Sequence, residues 1–119
     1  MRAYELMIIF DGDVEDAAVT EALGRVTQMV EAGSGRVATT DLWGRRRFAY
    51  EINHKFEGIY VVLEIVTEVP NLDDLERSLR LADEVVRHKL IRLPDREAAQ
   101  RGLLGDAIPV EAAAATPES

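Results

Sequence analysis

A chain of 119 residues, 47% of them hydrophobic, is sized for one domain around a single modest core. The absence of cysteine excludes disulfides, thiolate nucleophiles and thiolate metal sites together, and is compatible with a reducing cytoplasm. Twenty-two acidic against fourteen basic residues give a net charge of -8, which argues against wholesale nucleic-acid binding and confines any RNA contact to a local patch.

The N-terminus shows no signal-peptide pattern, and no apolar run approaches the roughly 20 residues of a membrane helix, so a soluble, cytoplasmic protein is expected. Tyr4 to Phe10 reads as a strand with Leu6, Ile8 and Phe10 on one side and Met7 and Ile9 on the other. Being apolar on both faces, it belongs inside a sheet. Asp11-Gly12-Asp13 closes it, Asp13 is the expected N-cap, and Glu15 and Asp16 fall in the first turn of a helix running to about Ala32. Val19, Ala22, Val26, Met29 and Val30 form its buried stripe. Gly33-Ser34-Gly35 is expected to end it, with glycine supplying the left-handed residue.

Arg36 to Ile52 is too long for a flat strand, and Gly44 is the expected bulge or bend. Within it Arg46, Phe48, Tyr50 and Ile52 alternate with Arg45, Arg47, Ala49 and Glu51. A polar turn over 53–58 leads into a strand carrying Ile59, Val61, Leu63 and Ile65 on one face and Tyr60, Val62 and Val66 on the other, again a central strand. Pro70 and Asn71 open a second helix, Asn71 as cap, Asp73 and Asp74 in its first turn, and Leu72, Leu75, Leu79 and Ala82 as its stripe. Val85 to Leu93 mixes apolar residues with Arg87, His88, Lys89 and Arg92, the mark of an edge strand.

Strand, helix, strand, strand, helix, strand, with the first and third strands most apolar, predicts an α+β, ferredoxin-like split βαβ sandwich: a four-stranded antiparallel sheet with two helices on one face. The domain is expected to span 1–93. Residues 94–119 are expected to form a flexible tail, with a short helical piece around Glu97 to Leu104, so that truncation after Leu93 leaves the domain's stability intact.

Little of the polar chemistry points to catalysis. Asp11 to Asp16 lacks the glycine and glutamate that a calcium loop needs, those positions being Asp16 and Ala22. His54 and His88 are far apart in sequence and lack ligand spacing. No Gly-x-Ser-x-Gly turn or phosphate-binding loop is present, and no cofactor is expected. The arginines leave two readings open. Arg45, Arg46, Arg47, Arg87, Lys89 and Arg92 are the charges that protect strand edges. Equally, three arginines between Trp43 and Phe48 combine bidentate phosphate donors with planar groups that stack on exposed bases.

Trp43-Gly44-Arg45-Arg46, then Phe48-Ala49-Tyr50 and Ile52, with Met1-Arg2-Ala3-Tyr4-Glu5 at the start, resembles the bacterial small-subunit ribosomal protein six family over about residues 1–93. The chain departs from it at Glu51, where many members carry proline. The resemblance implies a structural, non-enzymatic role on the ribosome, binding 16S ribosomal RNA and pairing with small-subunit ribosomal protein eighteen. The candidate RNA contacts are Arg2, Tyr4, Trp43, Arg45, Arg46, Arg47, Lys55, Arg87 and Arg92. Met7, Ile9, Tyr60 and Val62 are the candidate partner face, since that much exposed apolar surface marks an interaction site. An RNA-recognition motif would carry several aromatics on its third strand, where Gly58-Ile59-Tyr60-Val61-Val62 carries one, so edges and loops rather than the sheet face are expected to meet RNA. The competing reading is a small-molecule-binding regulatory or catalytic domain of the same fold, dimeric through its sheet.

Overall fold

A computed structural model describes residues 2–52, 55–69 and 71–103. Met1, Asn53, His54, Pro70, the side chain of Ala49 and the segment 104–119 lie outside the described residues. The elements are β1 (Arg2–Asp11), α1 (Asp16–Ala32), β2 (Arg36–Ile52), β3 (Lys55–Thr67), α2 (Asp73–Leu81), β4 (Val85–Leu93) and α3 (Asp95–Gln100). Four strands pair antiparallel in the order β2-β3-β1-β4, so the two strands that are apolar on both faces are the inner ones. This is the split βαβ arrangement expected from the apolar pattern.

Register sorts the side chains. Leu6 pairs with Leu63, Ile8 with Val61 and Phe10 with Ile59, and all six are buried beneath Val19, Ala22, Val26 and Val30 of α1 and Leu75 and Leu79 of α2. The alternate residues, Met7 opposite Val62 and Ile9 opposite Tyr60, face away from both helices. That second face is partly covered at one end, which the sequence pattern did not show. Ala98 of α3 and Leu103 pack on Ala3, Val66 and Leu93 and are almost fully buried. Arg101 reaches across the sheet to Glu5 at 3.0 Å and Glu64 at 2.8 Å, and also pairs with Glu97. Arg36 donates to the Leu103 carbonyl at 3.4 Å. The folded unit therefore runs past Leu93 to Leu103, and the expected tail begins with a docked clasp.

Local expectations fail in three places. Helix α1 is preceded by Glu15, with no side-chain cap, while Asp13 donates its amide to the Asp11 carboxylate at 3.0 Å instead of capping. Asp11, at the end of β1, closes the turn through that amide, and the helix begins only at Asp16. Leu72, likewise uncapped, precedes α2, but the expected Asn71 side chain does accept the Asp73 amide at 3.1 Å.

The left-handed residue after α1 is Ser34 (φ 66°), not a glycine. Gly35 donates to the Val30 carbonyl at 2.9 Å in a Schellman-type ending. Glycine is needed there for space, since a Cβ would stand 2.8 Å from the Val66 carbonyl oxygen and the Thr67 Cβ. Serine is thus left to bear the positive φ. Relieving that conformation gains about 1–2 kcal/mol, and the extra freedom of an unfolded glycine returns about 0.4–1 kcal/mol. Ser34→Gly is expected to stabilise the protein by about 0.5–1 kcal/mol, read as a raised chemical-denaturation midpoint at constant slope.

Gly44 bears out its expectation. The pairing steps from Leu42 opposite Val61 to Gly44 opposite Tyr60, leaving Trp43 as the extra residue of a bulge, and Gly44 adopts φ 91°. The bulge swings the indole onto the face that the helices leave open.

Candidate functional site

The β2–β3 hairpin extends beyond the rest of the sheet, since β1 ends its pairing with β3 at Asp11 opposite Gly58 whereas β2 and β3 continue to Ile52 opposite Lys55. Two cations tie its base to the loop after β1. Arg45 donates to the Gly12 carbonyl at 2.8 and 3.2 Å, and Lys55 Nζ lies 2.8 Å from the Asp11 carboxylate. The hydrogen bond from Lys55 holds Asp11 below the usual carboxylate range, and Asp11 in turn raises Lys55.

This gives a pH expectation. Because the folded pKa of Asp11 is depressed, its contribution to stability is complete above the ordinary value of 3.8 and is lost as pH falls through the lower folded value. The stability difference between the wild type and Asp11→Asn should be constant from about pH 5 to about pH 9, shrink in more acidic solution as Asp11 gains a proton, and shrink again in strongly alkaline solution as Lys55 loses one. A difference that does not change with pH would show that the pair contributes nothing.

Above the hairpin base the open face carries a stack. The Trp43 and Tyr60 rings lie parallel, within 3°, with centroids 6.3 Å apart, and the Arg46 guanidinium sits 5.3 Å from the indole centroid. These are offset-stacking and cation–π distances. The indole donates to Asp41 at 3.0 Å, which fixes its orientation. Phe48 leans on Tyr60 from the other side, centroids 6.3 Å apart and tilted by 60°.

Next to this stack a groove of about 380 Å³ opens between the hairpin and β4. Met7, Ile9 and Tyr60 line its floor, Phe48, Tyr50 and Ile52 one wall, and Arg87, His88 and Lys89 the other. Tyr50 is 69% exposed. His88 also pairs with Glu76 of α2 at 3.0 Å.

The candidate residues do not form one cluster. Trp43, Arg46 and Arg87 share the open face at the hairpin end with Met7, Ile9, Tyr60 and Val62. Arg47 is exposed on the hairpin, on the same side of its strand as Arg45. Arg2 pairs with Thr67 and Arg92 with Tyr4, at the far end of the sheet, roughly 20 Å away at the rise of a strand. Tyr4 is a core residue, 6% exposed beneath the helices, because its position in β1 has the parity of Leu6 and Ile8. Its ring is therefore withdrawn from any surface ligand. Arg45 and Lys55 are committed to the loop after β1 by the contacts above.

Sequence reasoning missed the groove wall. Phe48, Tyr50 and Ile52 alternate in the sequence, yet only the extended hairpin shows that their face meets Arg87 and Lys89. Among the described residues Arg46, Arg47, Arg87, Lys89 and Arg92 form no ion pair. No helix among them is long and apolar enough to cross a membrane.

A small α+β domain with an apolar groove, a stacked Trp-Arg pair and, among the described residues, Arg46, Arg87 and Lys89 beside that groove without an ion pair has the makings of an assembly component that works by contact. The comparisons agree. The model of the family described as "Ribosomal protein S6" matches residues 3–92. Small ribosomal subunit protein bS6 of Acidothermus cellulolyticus is 44% identical over 95 residues, covering 80% of this chain and 98% of that one. The protein of the same name from Beutenbergia cavernae is 47% identical over 96 residues, with the same shares covered. The crystal structure of 30S ribosomal protein S6 from Thermotoga maritima superposes with a TM-score of 0.76 at 31% identity, covering 85% of this chain and 95% of that one. The chain belongs to the ribosomal protein S6 family. It is a structural, non-enzymatic protein of the small ribosomal subunit.

Proposed function

We propose that the chain binds 16S ribosomal RNA through the hairpin end of its sheet and holds small-subunit ribosomal protein eighteen against the open face. The observation that carries the reading is the adjacency of two unlike surfaces. The apolar groove floored by Met7, Ile9 and Tyr60 is flanked by Arg46 on the Trp43 ring and by Arg87 and Lys89, none of them paired with a carboxylate among the described residues. A protein docked in the groove would stand beside RNA held by the cations.

Arginine on an indole keeps its outer donors directed outward for phosphate, while the ring pair offers an edge for an unpaired base. Val62 extends the partner face toward Asp41. With a net charge of -8, the isolated chain is expected to bind RNA weakly, and the partner supplies much of the positive field.

The partner face is tested by Ile9→Glu, which places a carboxylate on the groove floor of a position that is 7% exposed. Binding of protein eighteen, measured by calorimetry, should weaken by at least roughly a hundredfold, the scale of about 2–3 kcal/mol for an unpaired buried polar group. Tyr50→Ala, on the exposed groove wall, guards against a folding artefact and should weaken binding by a smaller factor. Wild-type affinity in a folded Tyr50→Ala protein and in a folded Ile9→Glu protein would refute the face.

A further inference from the structure

We propose that the protein docked on the open face lays a helix along β1 and β3 and sends a basic side chain to Glu5 and Glu64, which fixes the direction in which that helix lies. The inference rests on the reading of this face given above and adds the chemistry of the partner.

Register sets out the face in rows. Glu64, Glu5 and Ile91 stand side by side on β3, β1 and β4; Val62, Met7 and Lys89 form the next row, and Tyr60, Ile9 and Arg87 the one after. Ile91 is 43% exposed and Val62 and Met7 are half-buried, so the apolar floor of the groove continues as a strip up to the two carboxylates. The two ends of that strip differ in charge. Arg46, Arg87 and Lys89 border the hairpin end. At the other end Glu5, Glu64 and Glu97 share the guanidinium of Arg101, a formal excess of two negative charges. Arg36, in the adjoining row, is turned to the Leu103 carbonyl, and Asp95 and Arg96 at the start of α3 cancel in charge. Asp41, across the middle row from Lys89, accepts the Trp43 indole.

The chain itself shows what such a boundary takes. In the clasp a short helix packs Ala98 and Leu103 among Ala3, Val66 and Leu93 while Arg101 crosses to Glu5 and Glu64. An apolar sheet face is commonly covered by helices, as α1 and α2 cover the other side of this one. RNA is the poorer occupant of this end, because its phosphates would meet uncompensated carboxylates.

Spacing defines the partner further. Glu5 and Ile9 are four residues apart on β1, about 13 Å at the rise of a strand. A helix advances about 1.5 Å per residue, so a residue over Ile9 and one at Glu5 are separated by about nine positions. The partner is therefore a helix with an apolar residue in the groove and a lysine or arginine about nine positions away. Laid the other way round, the same helix would bring that cation to Arg46 and Arg87, a like-charge clash that selects one direction.

The test compares the calorimetric affinity of the full chain and of Glu5→Gln for protein eighteen. The variant keeps the size of the side chain and an acceptor for Arg101 but removes one charge. It should bind roughly tenfold more weakly at low salt, and the gap should narrow as salt is raised. Because Glu5 also holds the clasp, the comparison is repeated with Arg101→Met in both proteins. The loss should persist there, whereas a Glu5 that acts only through the clasp becomes silent once Arg101 is gone. Equal affinities of the full chain and Glu5→Gln, or a loss that vanishes in the Arg101→Met background, would overturn the proposal. So would a Glu5→Gln protein that binds a 16S ribosomal RNA fragment alone more tightly with its affinity for protein eighteen unchanged, the result expected if RNA occupies this end. Failure of protein eighteen to bind the unaltered chain would instead overturn the reading of the face on which the inference rests.

Discussion

Ending the chain after Leu93 is expected to lower its melting temperature by more than about 5 °C while leaving the helix-side core folded. The truncation uncovers Ala3 and Val66, each at most 1% exposed in the intact protein, and removes Ala98 and Leu103, which cover them. It also removes Arg101. Burial alone would pull that guanidinium down, but its hydrogen bonds to Glu64, Glu5 and Glu97 outweigh burial and hold it well above its ordinary range. Glu5 and Glu64 face each other across β1 and β3, and without Arg101 two like charges stand directly opposite in neighbouring strands.

An upper bound comes from the clasp itself. Leu→Ala in a core costs about 2–5 kcal/mol, but a short terminal segment can come off locally, so no single change in it can cost more than undocking. Leu103→Ala and Arg101→Met should each approach the truncation without exceeding it, and their combination should be less than additive. At about 4–8 °C per kcal/mol for a domain of this size, a docking energy of about 1–2 kcal/mol is sufficient for the expected shift. Residues 1–103 should melt close to the full chain, which separates the clasp from the segment beyond it. Melting of residues 1–93 together with residues 1–103 would show that the clasp adds no stability.

Strand order was legible because apolar residues on both faces of two segments, around Leu6 to Phe10 and Ile59 to Val66, leave no place for them but the interior of the sheet. The helices were legible for the same kind of reason, through stripes such as Val19, Ala22, Val26 and Val30. Period alone cannot show what a polar side chain meets. Arg45 and Arg46 look equivalent in sequence, yet the bulge at Trp43 and the alternation after it send one to the Gly12 carbonyl and the other onto the indole. The short helix after Pro94 was legible, but its docking escaped notice, because six residues with one buried alanine give no periodic signal and two of the residues that receive them, Ala3 and Val66, lie far off in the sequence. Ser34 escaped because the steric demand on Gly35 comes from β3, beyond any local window.

The largest functional effect is expected from Arg46 and Arg47 changed to Gln together, with Arg45→Gln as the internal control. Arg46 and Arg47 form no ion pair among the described residues, so neutralising them should change stability little. Arg45 holds the hairpin to Gly12, so its loss should lower stability and leave RNA affinity nearly unchanged once the protein is folded. Affinity for a 16S ribosomal RNA fragment, measured with protein eighteen present, should fall at least roughly tenfold in the double variant, about 1.4 kcal/mol. Two lost phosphate contacts should also flatten the plot of log affinity against log salt by about 1.4 on single-stranded RNA and about 1.8 on a duplex. Edge protection predicts the opposite pattern, with no change in affinity or salt slope and an increased tendency to aggregate through β2. A folded double variant with wild-type affinity and wild-type slope would remove the hairpin arginines from the RNA interface and leave them as guards of the sheet edge.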